Sequence, residues 1–64
     1  MTTMQKTIIE IADWAKSENR DPVDAVQEYF DEKGSHFSRT RVAVILGIAR
    51  EAERKEQREG SRTQ

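Results

Sequence analysis

From Thr3 to Ser17 the apolar side chains Met4, Ile8, Ile11, Ala12 and Ala15 recur at spacings of three and four. That is the stripe of an amphipathic helix. Trp14 lies at the edge of the stripe, and Glu10, Asp13 and Lys16 fall on the opposite side. Thr2 and Gln5 stand at capping-box spacing, so the helix is expected to open at about residue 3. After the polar stretch Ser17-Glu18-Asn19-Arg20, Asp21-Pro22 starts a second helix. Aspartate accepts from free backbone N–H groups, and proline at the first helical position gives up no hydrogen bond. Asp24 adds negative charge where the helix dipole favours it. Val23, Val26, Tyr29 and Phe30 form its inward face, and Gly34 is a natural stop because glycine takes the left-handed conformation cheaply. The second helix is thus expected over about 22–33.

Ser38 is a fitting N-cap for a third segment, with Phe37 placed to pack on Val42 as a hydrophobic staple. From Val42 to Ala49 the run VAVILGIA contains no polar side chain. In a helix such a run is apolar on every side, so it has to be enclosed. Two short helices do not readily enclose it, which points to a second chain or to a break that folds the segment back. Beyond Ala49 the character flips to charge, and Gly60 to Gln64 reads as a flexible tail. The expectation is an all-α domain over residues 1–59, with helices at about 3–17, 22–33 and 39–58. Gly47 leaves open whether the last is one helix or two, hence three or four helices in all.

Size sharpens the case for a partner. The chain has 64 residues, 34% hydrophobic and 36% charged, and no cysteine. Setting alanine aside leaves sixteen larger apolar side chains. A core of that size is marginal for a monomer, so dimerisation is expected. Composition disfavours disulfide scaffolds, structural zinc and a membrane span. The start, MTTMQKTII, lacks the cationic and long apolar regions of a signal peptide, which reads as cytoplasmic.

Catalysis finds no support in the residue pattern. His36 has no cysteine, serine or aspartate at a spacing that suggests a nucleophile–base pair, and it reads as a solvated loop histidine. Asp13, Glu28, Asp31 and Glu32 fall on faces expected to meet water. Gly34, Gly47 and Gly60 build no phosphate loop, and no metal-ligand spacing is present. The reading is a non-enzyme without metal or cofactor.

Charge is more informative in its distribution than in its total of −1. Residues 1–38 balance at −4 and residues 39–64 at +3. An acidic front and a basic back can offer a positive face to phosphate. Within the basic half, the stretch TRVAVILGIAREAERK carries Thr40, Arg41, Ala43, Leu46, Gly47, Ile48, Arg50 and Lys55. In these positions it resembles the Fis-type helix-turn-helix, the segment that also ends many enhancer-binding activators. The resemblance implies a sharp turn at Gly47, with Ala43 at a close helix crossing and Ile48 plugging the corner. It further implies double-stranded DNA as partner, with Arg50, Arg54 and Lys55 toward the major groove or its phosphates. Thr40 and Arg41 would hold the backbone. The chain departs from the family's pattern at Ala52, Glu53 and Gln57, where the family carries Thr, Leu and Leu.

A second reading keeps residues 39–58 as one continuous helix, with Gly47 allowed there for close helix packing. Glu51 then stands at ion-pair spacing from both Lys55 and Arg54. Val42, Ile45, Ala49 and Ala52 trace a seam for a partner helix. The function on this reading is protein binding, as a dimer or with another protein, by an adaptor or inhibitor of the kind mobile elements encode. Thus two expectations stand: a small DNA-binding regulator, and a helical protein-interaction module.

Overall fold

A computed structural model describes residues 1–62, with side chains through residue 57. It is all-helical: α1 spans Thr3–Ser17, α2 spans Pro22–Glu32 and α3 spans Arg39–Arg62, with no strand among the described residues. Each helix packs against the other two around one apolar core.

The helix starts follow local chemistry. At α1 the Thr2 hydroxyl accepts from the Gln5 N–H, and the Gln5 side chain accepts from the Thr2 N–H, so two orphan donors are satisfied reciprocally. At α2 the Asp21 carboxylate accepts from the Val23 N–H at 2.8 Å, with Pro22 beside it. The Ser38 hydroxyl accepts from the Arg41 N–H at 3.2 Å and caps α3.

α1 and α2 end in the same way. After α2, Gly34 has φ +85°, Ser35 N–H bonds the Phe30 carbonyl and Gly34 N–H bonds the Asp31 carbonyl. After α1, Asn19 has φ +58°, Arg20 N–H bonds the Ala15 carbonyl and Asn19 N–H bonds the Lys16 carbonyl. Both are Schellman closures, which satisfy carbonyls that a helix end leaves free. The polar connection after Ser17 is therefore a tight, defined turn. Its asparagine adopts the left-handed region that few residues other than glycine tolerate.

Ile8, Ile9, Ala12, Val26, Phe30, Val42, Leu46 and Ala49 make up the buried core, with Ile11, Val23, Tyr29, Phe37 and Ile45 packed at its margin. Ala15 is buried as well. Ile9 was outside the expected stripe, and Met4, expected within it, is mostly exposed. α1 is covered by both other helices, so its buried arc is wider than one stripe and is displaced toward Ile9. Phe37 stacks edge-on to Phe30, ring centroids 5.2 Å apart, and its carbonyl accepts from the Gln27 amide at 3.0 Å. These two contacts fix the 33–38 connection against α2.

α3 is continuous. Gly47 lies inside it with a helical backbone, and Gly34 has the positive φ that Gly47 lacks. Of the two alternatives left open at Gly47, the structure has the continuous helix, so the break that the Fis-type resemblance implies is absent and there are three helices. The apolar run is not folded back to enclose itself: α1 and α2 cover one side of α3 and the other side stays exposed. The helix also continues through Gly60 and Ser61 to Arg62, where a flexible tail was expected. Residues 63 and 64 of that tail lie outside the described residues. At 1.5 Å per residue α3 is roughly 36 Å long, nearly the 40 Å long axis of the molecule.

Candidate functional site

The run VAVILGIA is enclosed on one side only. Val42, Leu46 and Ala49 point into the core at spacings of four and three, and Ile45 is half-buried beside them. On the other side Val44 is 56% exposed and Ile48 58% exposed, with Ala43 and Gly47 also open to solvent. Neighbouring apolar side chains one turn apart, facing water on an otherwise charged helix, form the main unpartnered apolar face of α3.

This placement corrects the seam expected from the sequence. Val42 and Ala49 are fully buried in the chain's own core, so their side chains offer nothing to a second chain. Ile45 and Ala52 are partly buried margins. A helix that is apolar all round gives no sign of which side its own chain will cover. The packing of α1 and α2 decides that, and it turns Val44 and Ile48 outward.

Gly47 adds a second feature to the same face. A Cβ built there meets nothing within 4 Å, and no positive φ requires glycine. In an exposed helix interior glycine is about 1 kcal/mol less favourable than alanine. Among the described residues no contact made possible by the missing side chain offsets that cost.

The residues assigned to DNA are divided among different roles. Arg50 reaches across to α1, where its guanidinium donates to Asp13 at 2.6 Å, and it lies 3.4 Å from Glu53 on its own helix. The hydrogen bond that Arg50 donates to Asp13 raises the Arg50 pKa, against the opposing effect of partial burial, so the guanidinium is held charged and occupied. Arg54 is exposed and pairs with Glu51 at 3.4 Å, one of the two pairings expected for that carboxylate. Thr40, Arg41 and Lys55 are exposed, and the Arg41 guanidinium sits 5.1 Å from the centre of the Phe37 ring. Thr40 and Arg41 stand at the start of α3, about fifteen residues or 20 Å from Lys55. Among the residues with described side chains, Glu51, Glu53 and Glu56 interleave with Arg50, Arg54 and Lys55, so these three cations form no unbroken positive stretch.

One cation that sequence reasoning left out has a defined role. Arg39, at the first turn of α3, pairs with both Asp21 and Asp24 at the start of α2. Its hydrogen bond, with that of the Val23 N–H, lowers the Asp21 pKa. His36 sits exposed beside Asp31 at 3.1 Å. Among the described residues no group of three His, Cys, Asp or Glu converges as a metal site, and no helix is long and apolar enough to cross a membrane. Two shallow grooves flank α2. One lies between Met4, Thr7, Phe30 and Lys33; the other lies under Trp14, which is half-exposed with the Arg20 guanidinium 5.4 Å from its ring. Ser35 and Tyr29 also line the first groove, and Glu28 and Glu32 line the second.

No family model matches the chain, and no curated protein or solved structure shows significant similarity to it.

Proposed function

We propose that this chain is a non-enzymatic helical protein-interaction module whose binding surface is the outward face of α3. The observation that carries the reading is the exposure of Val44 and Ile48 on an unbroken helix whose opposite side already holds the core. Burying apolar surface drives most protein association, and a rigid helix presents such a surface with little ordering cost. A helix packed on two others is a preformed docking ridge.

The alternative, a DNA-binding helix-turn-helix, loses the support it drew from Gly47. Its motif needs two helices meeting at that glycine, and the backbone there is helical. Arg50, one of the three residues it would turn toward the groove, is tied to Asp13.

Photo-crosslinking tests the proposal. The full chain carries a benzophenone side chain at position 48, or at position 10 on the exposed side of α1 as control, in cells of its own source. Adducts from position 48 and not from position 10, with the attached peptide identified by mass spectrometry, are expected. No adduct from position 48 would overturn the reading. So would tight duplex DNA binding at low salt that falls steeply as salt rises and is weakened by Arg41→Ala and Lys55→Ala.

A further inference from the structure

We propose that the outward face of α3 joins two copies of this chain, packed antiparallel so that Val44 of each meets the partner's Ile48 and Arg41 pairs with the partner's Glu51. The inference rests on reading that face as the binding surface and names its occupant.

The first support is spacing. Arg41, Val44, Ile48, Glu51 and Lys55 follow one another at alternating steps of three and four. That 3.5-residue period is the seam of a paired helix, with apolar residues at the centre and charge toward the ends. All five are exposed, and Val44 and Ile48 have no cover within the chain.

The second support is Gly47. It lies one position from Ile48 and one turn from Val44, at the edge of the seam, where its missing side chain lets a neighbouring helix approach closely. Its cost within a single chain is otherwise unexplained, since no atom of this chain occupies the space a Cβ would take.

The third support is the order of the charges, which selects the second copy and its direction. Two parallel copies in register would set Arg41 against Arg41 and Glu51 against Glu51, and like charges repel. Reversing one copy about the level of Leu46 exchanges position 41 with 51 and position 44 with 48. One two-fold axis then satisfies the apolar pair and the charged pair together, as a self-complementary interface requires. The Phe37 ring beside the Arg41 guanidinium keeps that side chain near the start of the seam. Glu51 retains Arg54 at 3.4 Å on its own helix, and a carboxylate can accept from both guanidinium groups.

Sedimentation equilibrium from micromolar to millimolar concentration is the primary test. The wild-type chain should reach twice 7.4 kDa, and Val44→Asp should remain a monomer with unchanged helical circular dichroism. Arg41→Glu and Glu51→Arg should each raise the dimer Kd about tenfold, and the double variant should return it to near the wild-type value. Gly47→Ala should act in opposite directions, raising the melting temperature of the monomeric Val44→Asp background while weakening the dimer of the wild-type background. Because the chain has no cysteine, single-cysteine variants report direction cleanly. A mixture of Val44→Cys and Ile48→Cys chains should yield the mixed disulfide; two homodisulfides instead would overturn the antiparallel register. A wild-type monomer at millimolar concentration would overturn the second copy as occupant. In that event an adduct of position 48 with another protein preserves the interaction reading, and its absence removes both.

Discussion

The Arg50 guanidinium on α3 donates to the Asp13 carboxylate on α1 at 2.6 Å, a contact between residues 37 positions apart in the chain. Arg50 follows Ala49 out of the core, and its side chain is only 28% exposed. It therefore shields the Ala49 end of the α1–α3 packing while its charged tip finds a partner at the rim. Assigning this residue to an external phosphate would mean breaking a bond that fastens the helices together.

A double-mutant cycle measures that bond. Arg50→Ala should lower unfolding stability by about 1 kcal/mol, through lost packing as well as lost charge, and Asp13→Ala by less. Their coupling should come to roughly 0.5–1 kcal/mol, since Asp13 is more than half exposed and water screens the pair. Urea titrations of the four chains, followed by circular dichroism, give the value. Zero coupling would show the pair to be incidental to the fold.

The two Schellman closures predict substitutions of opposite sign. Gly34→Val should destabilise by about 1–2 kcal/mol, because a β-branched residue is strained at positive φ. Asn19→Gly should stabilise by a few tenths of a kcal/mol, since asparagine already tolerates the conformation that glycine adopts freely. Melting curves suffice for both. A Gly34→Val variant that melts with the wild type would contradict the left-handed cap.

Much of this fold was legible in the sequence because its signals are local. Thr2 with Gln5, Asp21 with Pro22, Ser38 and Gly34 each act on backbone groups within a few residues, and each does so in the structure. What could not be read locally was the side of α3 that the chain covers. Every position from 42 to 49 is apolar or glycine, so periodicity there carries no phase. Val42 and Ala49 were accordingly assigned outward and lie inward. Charge alone does not separate the two lines, because Arg41 and Glu51 extend the one through Val44 and Ile48 and Arg39 and Arg50 extend the one through Val42 and Leu46. Gly47 was ambiguous for a related reason: glycine serves a turn and a close helix contact equally well, and only the surroundings decide.

Acid should loosen the start of α2. Asp21 accepts from Arg39 and from the Val23 N–H, which holds its pKa below the ordinary aspartate value. A depressed folded-state pKa contributes stability that is fully present above the unfolded value, about 3.9, and is lost as pH falls through the lower folded value. Denaturation midpoints should therefore drop as pH falls below about 4, and Asp21→Asn should reduce that dependence. The fall should be small, because both partners are exposed to solvent. An Asp21→Asn chain with the wild-type acid profile would remove Asp21 from the account.

The core is small enough that one methylene is measurable. Ile8 is fully buried where α1 meets the other helices. Ile8→Val should cost about 0.5–1.5 kcal/mol and Ile8→Ala about 2–5, the latter enough to unfold much of a marginal domain at room temperature. The single tryptophan, Trp14, stacked near Arg20, reports the transition by fluorescence. A folded Ile8→Ala chain with an unshifted midpoint would mean that the core lies elsewhere.

Glu53 separates the two readings of α3 most directly. The Fis-type pattern fills that position with leucine, which buries its recognition helix. Here Glu53 sits half-exposed on the continuous helix, 3.4 Å from Arg50. In a helix-turn-helix, Glu53→Leu would supply a missing core residue and remove a charge that repels phosphate, so stability and duplex affinity would both rise. On the continuous helix the substitution removes a weak pair and leaves leucine partly exposed. Stability should then change by no more than about 0.5 kcal/mol, and anisotropy of a labelled duplex at low salt should show no gain in binding. A variant that melts several degrees higher and binds duplex DNA more tightly would return Arg41 and Lys55 to the nucleic-acid reading and leave Val44 and Ile48 without the role proposed for them.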